Sequence, residues 1–182
     1  MEKCIKVVLI GAGARGRTYT DIMKRAGGKF EVVAVAEPIA ERRNYIKEKW
    51  KLPDGMCFDG YEELLAKPRL ADAALICTMD RMHTAPALAA MEKKYDLLLE
   101  KPAAPTPEEC IRIKQCARKN GVKVLVCHVL RYTDFYKKIK QTIDSGKIGN
   151  VMSIQAAECV GNTHQSHSFV RGNWGNSKKA PA

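Results

Sequence analysis

Residues 5–16 read IKVVLIGAGARG, an apolar run rich in β-branched side chains that leads directly into three glycines spaced as GxGxxG. The run predicts a buried strand at 5–10, and the residues after it predict a helix. Gly11 permits a tight turn, Gly13 lets the backbone approach a phosphate, and Gly16 lets the helix pack closely on the strand. Because the free N–H groups of a helix N-terminus favour an anion, this segment indicates a phosphate-binding loop.

The rest of the first 127 residues repeats this alternation of short apolar runs and longer charged segments. The pattern is typical of an α/β fold, a doubly wound parallel sheet with crossover helices. The later strands are predicted at 31–36, 73–77, 96–99 and 123–127. The helices are predicted at 14–26, 39–50, 61–66, 82–93 and 107–119, and the last has Thr106 as its N-cap and Pro107 at its first position.

The sequence changes in character after Cys127. Residues 132–145 carry apolar side chains at four-residue spacing, which predicts an amphipathic helix, and residues 151–160 predict one new strand. The residues that follow are polar and too few for an independent core. We therefore expect a dinucleotide-binding domain at 1–127 and, at 128–182, a linker helix with the beginning of an incomplete second domain.

A carboxylate ends the second predicted strand. Glu37 follows Gly16 by 21 residues. An acidic side chain at this position accepts hydrogen bonds from the ribose hydroxyls of NAD. Its charge would repel the 2′-phosphate of NADP, but Arg42 and Arg43 come about a turn later, and arginine there could accept that phosphate. An ordinary charged helix face would carry the same two arginines. The sequence therefore favours NAD and leaves NADP open.

The fourth predicted strand ends in the turn Glu100-Lys101-Pro102, at the edge of the sheet where open α/β folds bind their ligands. A lysine there can neutralise the developing alkoxide of a substrate hydroxyl, or donate a hydrogen bond to it, during hydride transfer. Glu100 would position the ammonium or contact ribose. On composition alone Lys101 is an ordinary solvated lysine, and a catalytic role is favoured only because this turn and the glycine loop share one edge.

Together these motifs resemble the N-terminal half of the Gfo/Idh/MocA oxidoreductase family. GAGARG follows the first strand, AEP the second, a turn at Thr78 the third and LLEKP the fourth, and the similarity extends to HSFVRGNW at 167–174. The resemblance implies a Rossmann domain followed by an α+β substrate domain, and NAD(P)-dependent oxidation of a sugar, inositol or related polyol, with Lys101 as the catalytic lysine. We expect the full-length protein to be a homo-oligomer. By the same resemblance, the residues that bind the cofactor would be Gly11, Ala12, Gly13, Arg15, Gly16 and Glu37 at the adenosine half, and Thr78, His83, Glu100 and Lys101 nearer the nicotinamide.

One segment of the family has no counterpart in this sequence. Family enzymes carry an Asp-x-x-x-His segment whose histidine is the usual acid or base, and that spacing does not occur here. His164 and His167 lie three apart on a polar stretch, where solvated side chains are more common than metal ligands, so no metal is expected. Arg171 and Trp174 stay open between the edge of a substrate pocket and ordinary surface. Two alternatives remain, a non-catalytic NAD-binding module and an NAD-dependent glycosidase of the same family.

Composition restricts the other possible classes. The 182 residues carry 31 Lys and Arg against 20 Asp and Glu, a net charge of +11, and 46% are hydrophobic, which excludes a disordered or low-complexity chain. The basic residues are scattered, so a nucleic-acid-binding domain is the least favoured hypothesis and we expect no nucleic-acid partner. No apolar stretch reaches membrane-spanning length, and the seven cysteines include no Cys-x-x-Cys pair. We therefore expect reduced thiols, no membrane contact and a cytoplasmic protein.

Overall fold

The computed structural model describes residues 3–166 and residue 170. The chain divides into two units, 1–127 and 128–182, and the described part of the first is built from one parallel sheet and its crossover helices. Its strands are β1 (Ile5–Ile10), β2 (Phe30–Ala36), β3 (Cys57–Phe58), β4 (Ala73–Ile76), β5 (Asp96–Leu99) and β6 (Val124–Val126). Its α-helices are α1 (Ala14–Arg25), α2 (Ala40–Trp50), α3 (Tyr61–Ala66), α4 (Thr84–Glu92) and α5 (Pro107–Asn120).

The six strands run parallel, in the spatial order β3-β2-β1-β4-β5-β6. The chain winds outward from β1 to β3 and then returns to the other side of β1 to form β4. In open sheets of this type, ligands bind at the carboxyl ends of the strands, in the crevice where the winding direction reverses. The doubly wound Rossmann sheet predicted from the sequence is confirmed, and its reversal lies between β1 and β4.

Side chains of β1 alternate between two apolar layers, because successive residues of a strand face opposite sides of the sheet. Val7 and Leu9 contribute to one layer with Ile46 of α2. Val8 and Ile10 contribute to the other layer with side chains of α3, α4 and α5. Since helices cover both faces, these four β1 side chains are at most 3% exposed, which explains the unbroken apolar run in the sequence.

Helix α5 begins and ends where its capping residues predict. Thr106 Oγ1 accepts a hydrogen bond from the backbone N–H of Glu109 at 3.3 Å, and Pro107 occupies the first helical position. Gly121 ends the helix in the left-handed conformation, with φ of 66°. Local chemistry alone is sufficient to set the bounds of this helix.

Two strand assignments differ between sequence and structure. The sequence predicts no strand at β3, because its two residues, paired only with Val35 and Ala36, are too few to show a period. The strand predicted at 151–160 is wrong, since these residues form no regular secondary structure. A strand needs a hydrogen-bonded neighbour, and among the described residues 128–166 there is no second strand to pair with it.

The described part of the second unit contains the predicted amphipathic helix, α6 (Asp134–Asp144), and a short helix, α7 (Asn162–Gln165). Phe135, Ile139 and Ile143 of α6 are exposed. Within the described part of the chain, no helix combines the length and the hydropathy that crossing a bilayer requires. The predicted features that lie outside the described residues are His167, Arg171, Trp174 and the side chain of His164.

Candidate functional site

Two of the three glycines at the junction of β1 and α1, one in the loop and one in the first turn of α1, leave no room for a side chain. A Cβ atom on Gly11 would lie 2.7 Å from the carbonyl carbon of Cys77, which follows β4, and Gly11 has φ of 90°, a conformation that favours glycine. A Cβ atom on Gly16 would lie 2.2 Å from the carbonyl oxygen of Gly11. The loop is therefore packed against both the end of β4 and its own helix.

This close approach makes Gly16→Ala a test of the loop. We expect the substitution to destabilise the first unit by about 2 kcal/mol, because the methyl group overlaps a backbone atom that cannot rotate away. The free energy of unfolding in urea measures the loss. Gly55→Ala is the matched control, since a Cβ atom there meets no atom within 4 Å. Equal stability of Gly16→Ala and the unsubstituted chain would contradict the helix-to-strand packing.

The third glycine faces open space. Gly13 has φ of −65° and ψ of −168°, which any residue can adopt, and a Cβ atom there would meet no atom within 4 Å. It is the N-cap of α1, whose first turn has neither a side-chain cap nor an acidic residue. The N–H groups of Ala14, Arg15 and Gly16 precede the first backbone bond of the helix, from Arg17 N to Gly13 O at 3.0 Å. The positive end of the α1 dipole therefore faces accessible space, and no described side chain accepts hydrogen bonds from its first N–H groups.

Glu37 lies at the carboxyl end of β2 and is only 4% exposed. Its Oε2 accepts a hydrogen bond from the backbone N–H of Ala12 at 2.7 Å, and its Oε1 accepts one from the backbone N–H of Ile39 at 3.0 Å. Each carboxylate oxygen can accept two hydrogen bonds, so both keep capacity for a hydroxyl group. The carboxylate therefore holds the glycine loop against the end of β2.

The two arginines at the start of α2 differ in their surroundings. Arg43 donates a hydrogen bond to the backbone oxygen of Glu37, and its Nη1 lies 2.6 Å from Oδ1 of Asp59. Arg42 is exposed. An incoming phosphate would have to displace the carboxylate of Asp59 to pair with Arg43. This arginine is therefore the less available of the two.

A fully buried histidine joins the turn after β4 to the turn after β5. The Nδ1 atom of His83 lies 2.7 Å from the carbonyl oxygen of Pro102, and its Nε2 atom lies 3.1 Å from that of Thr78. Thr78 itself is half-buried, and its hydroxyl donates to the carbonyl oxygen of Met82 at 3.0 Å. Both ring nitrogens of His83 thus face the backbone, so the ring holds the two turns together.

The carboxyl end of β5 is followed by a buried acid and an exposed base. Glu100 accepts a hydrogen bond at Oε1 from the Tyr19 hydroxyl at 2.6 Å, and at Oε2 from the backbone N–H of Lys101 at 2.9 Å. The Lys101 side chain is exposed, and among the described residues no carboxylate pairs with its ammonium. That ammonium is available to an oxygen atom of a ligand at this edge of the sheet.

Protonated groups surround the Glu100 carboxylate. Burial, followed by the hydrogen bond to Glu100, raises the pKa of the Tyr19 phenol. Burial also raises the pKa of the Cys77 thiol, with the charge of Glu100 adding to the effect, and it raises the pKa of the Cys127 thiol. Tyr19 therefore donates its hydrogen bond to Glu100, and the two thiols are poor nucleophiles at neutral pH.

Tyr19 is not among the residues predicted from the sequence. It follows Gly16 by three positions on α1, so both lie on the helix face that packs toward the sheet. This spacing is the signal in the sequence that identifies a polar group directed at the strand ends. The predicted residues at the carboxyl ends of β1, β2, β4 and β5 are Gly11, Ala12, Gly13, Glu37, Thr78, Glu100 and Lys101, while Gly16 and Arg15 lie on the first turn of α1 and His83 is buried between two turns.

Comparison with known proteins identifies similar sequences. The Gfo/Idh/MocA family model, described as an oxidoreductase family with an NAD-binding Rossmann fold, matches residues 5–128. Inositol 2-dehydrogenase from Corynebacterium glutamicum (strain R) is 26% identical over 156 residues, which cover 85% of this chain and 45% of that protein. The chain thus spans about half the length of the curated relatives that it matches.

Solved structures share the fold. The WlbA dehydrogenase from Bordetella pertussis, in complex with NADH and UDP-GlcNAcA, matches with a TM-score of 0.74 at 21% identity, over 81% of this chain and 45% of that one. An NAD-binding protein from Listeria innocua matches with a TM-score of 0.69 at 28% identity, over 81% of this chain and 42% of that one.

Proposed function

The chain belongs to the Gfo/Idh/MocA oxidoreductase family, which has an NAD-binding Rossmann fold, and from that premise we propose that its first unit holds NAD along the carboxyl edge of the sheet for hydride transfer with a sugar or polyol. The observation that carries this proposal is the uncapped N-terminus of α1, which faces open space at Gly13, in the same loop whose Ala12 is bound by the buried carboxylate of Glu37. A helix N-terminus favours a phosphate, and the adjacent acid favours a ribose diol.

Residues at this edge suit the parts of NAD. The first N–H groups of α1 would bind the pyrophosphate, and the exposed guanidinium of Arg15 adds positive charge there. Glu37 would accept hydrogen bonds from the hydroxyls of the adenosine ribose with its remaining lone pairs. Thr78 and Glu100 would line the nicotinamide half. His83 would hold their turns in place without touching the cofactor, since both of its ring nitrogens face carbonyl oxygens.

Lys101 is proposed as the catalytic residue. NAD supplies a hydride acceptor when it is bound. The ammonium of Lys101 would donate a hydrogen bond to the substrate oxygen and stabilise the negative charge that develops there as the hydroxyl proton passes to solvent, because it is exposed and unpaired among the described side chains. The buried carboxylate of Glu100, bonded to the Lys101 backbone N–H, fixes the main chain from which that ammonium projects.

The proposed substrate is a polyol or a sugar. The similarity to inositol 2-dehydrogenase supports it, and the activity is proposed for the whole protein, since the chain matches about half of that relative. To test this, the whole protein is incubated with NAD and an inositol, another polyol or a sugar, and the formation of NADH is followed by its absorbance. NADH formation with one of them supports the proposal. Binding of NADH without turnover indicates an NAD-binding module, and hydrolysis of glycosides without net NADH indicates a glycosidase.

The preference for NAD over NADP is expected to depend on Glu37. We expect the unsubstituted chain to bind NADH more tightly than NADPH, because the carboxylate repels a 2′-phosphate and Arg43 is already paired with Asp59. Glu37→Ala should weaken NADH binding by roughly 10- to 100-fold, the loss expected for hydrogen bonds to a charged group. Affinity for NADPH should change much less.

Fluorescence titration with both nucleotides measures these affinities. Glu41→Ala removes the same charge from an exposed position on α2 and should leave both dissociation constants unchanged. If Glu37→Ala kept the NADH preference of the unsubstituted chain, Glu37 would have no role in nucleotide selection.

A further inference from the structure

Helix α1 makes a second polar contact at the carboxyl edge, with a turn that is distant from the glycine loop in sequence. The Tyr19 hydroxyl donates to Glu100 Oε1 at 2.6 Å. The two residues are 81 positions apart, so the contact joins α1 to the turn that carries Lys101. No step in the proposed function uses the phenol.

The other hydrogen bonds of Glu100 show why the contact with Tyr19 matters for the orientation of the carboxylate. The other carboxylate oxygen accepts from the Lys101 backbone N–H at 2.9 Å, a bond to the adjacent residue that moves with the turn itself. The Glu100 backbone N–H donates to Ile76 at 2.9 Å and so fixes the main chain, but not the side chain. Within the described part of the chain, the Glu100 carboxylate accepts from Lys101 and from Tyr19, and of these two donors only Tyr19 belongs to another element. The orientation of the carboxylate therefore depends on the phenol.

We propose that Tyr19 is a positioning residue, which holds the Glu100 carboxylate in the orientation that receives the nicotinamide half of the bound cofactor. The inference rests on the proposed function. It makes α1 responsible for both halves of the cofactor, the pyrophosphate through its N-terminus and the nicotinamide half through Tyr19 and Glu100. The raised pKa of the phenol is consistent with this role, because the hydroxyl keeps its proton for donation across the neutral pH range.

A ligand that lacks the nicotinamide half distinguishes a role of Tyr19 in positioning Glu100 from a general role in packing α1. ADP carries the adenosine and both phosphates of NADH but neither the second ribose nor the nicotinamide ring. In Tyr19→Phe, which keeps the ring and removes the hydroxyl, we expect the dissociation constant for NADH to rise about 5- to 10-fold. The dissociation constant for ADP should stay within about twofold of that of the unsubstituted chain, as expected for a ligand that does not reach Glu100.

Tyr95→Phe is the matched control. Tyr95 is 1% exposed, and its hydroxyl accepts a hydrogen bond from the backbone N–H of Leu70 at 2.8 Å, next to the amino end of β5. The substitution removes the same atom from the opposite edge of the sheet. We expect a lower melting temperature and unchanged dissociation constants for both ligands.

Glu100→Gln, alone and combined with Tyr19→Phe, completes the test, and the single variant Glu100→Gln tests the proposal if Tyr19→Phe folds poorly. Glu100→Gln weakens the same hydrogen bond from the acceptor side, so it should by itself reduce affinity for NADH and not for ADP. In its background, Tyr19→Phe should cost less than about twofold in NADH affinity, because the interaction has already been weakened.

The outcomes separate the two proposals. Equal loss of NADH and ADP affinity in Tyr19→Phe, no loss of either, or full additivity in the double variant would overturn the role of Tyr19 while leaving NAD binding intact. An unsubstituted chain that is folded and binds neither NADH nor ADP would overturn the proposed function, and the role of Tyr19 with it.

Discussion

Gly13→Asp is expected to abolish NADH binding without loss of stability. The added carboxylate would occupy the open space at the N-terminus of α1, where the pyrophosphate is proposed to bind. Repulsion between like charges and loss of space together predict at least about 100-fold weaker binding, or about 2.7 kcal/mol. The backbone of Gly13 already has angles that any residue adopts, and aspartate is a favourable N-cap, so the free energy of unfolding should stay constant or rise by a few tenths of a kcal/mol.

Calorimetric titration with NADH and thermal unfolding of the same samples measure the two effects. Gly55→Asp adds the same charge at a glycine that also faces open space, outside the loop, and should leave NADH affinity unchanged. Retained NADH binding in a folded Gly13→Asp chain would show that the pyrophosphate does not lie at this helix N-terminus.

Lys101→Met is expected to remove hydride transfer and to spare cofactor binding. Methionine keeps most of the length of the side chain and removes the ammonium that would stabilise the substrate alkoxide. Loss of one such group is expected to lower the rate by about 1000-fold. The NADH dissociation constant should stay within about threefold, because the exposed ammonium has no bond to the residues proposed to hold the nucleotide.

The measurement is the rate of NADH formation in whole protein that is active on a polyol, together with an NADH titration. Lys93→Met, an exposed lysine just after α4, is the matched control and should change neither quantity. Undiminished turnover in Lys101→Met would show that another group stabilises the substrate alkoxide.

The parts of the fold that depend on local chemistry could be predicted from the sequence. Helix α5 starts at Pro107 because Thr106 caps it, and close backbone contacts require glycine at Gly11 and Gly16, on either side of the start of α1. The position of Glu37 at the end of β2 could be predicted because β2 is a mostly apolar run of typical strand length. Each of these features is encoded within a few adjacent residues.

Features that depend on distant partners could not be predicted. Strand β3 forms because its two residues pair with the edge of β2. Residues 151–160 form no strand because the described residues of their unit include no strand with which they could pair. The Tyr19 contact joins residues 81 positions apart, and the two carbonyl partners of His83 come from different turns. A single sequence gives the chemistry of such groups but not the distances between them.

NMR titration of the isotopically labelled chain with NADH tests most directly the claim that this edge of the sheet binds NAD. Saturable shifts should concentrate in backbone amides at the carboxyl ends of β1, β2, β4 and β5, and the amides of α6 should stay unchanged. No shifts in a folded chain, or shifts confined to other surfaces, would contradict it. The amides predicted to shift most are those of Gly11, Ala12, Gly13, Ala14, Arg15, Gly16, Glu37, Thr78, Glu100 and Lys101.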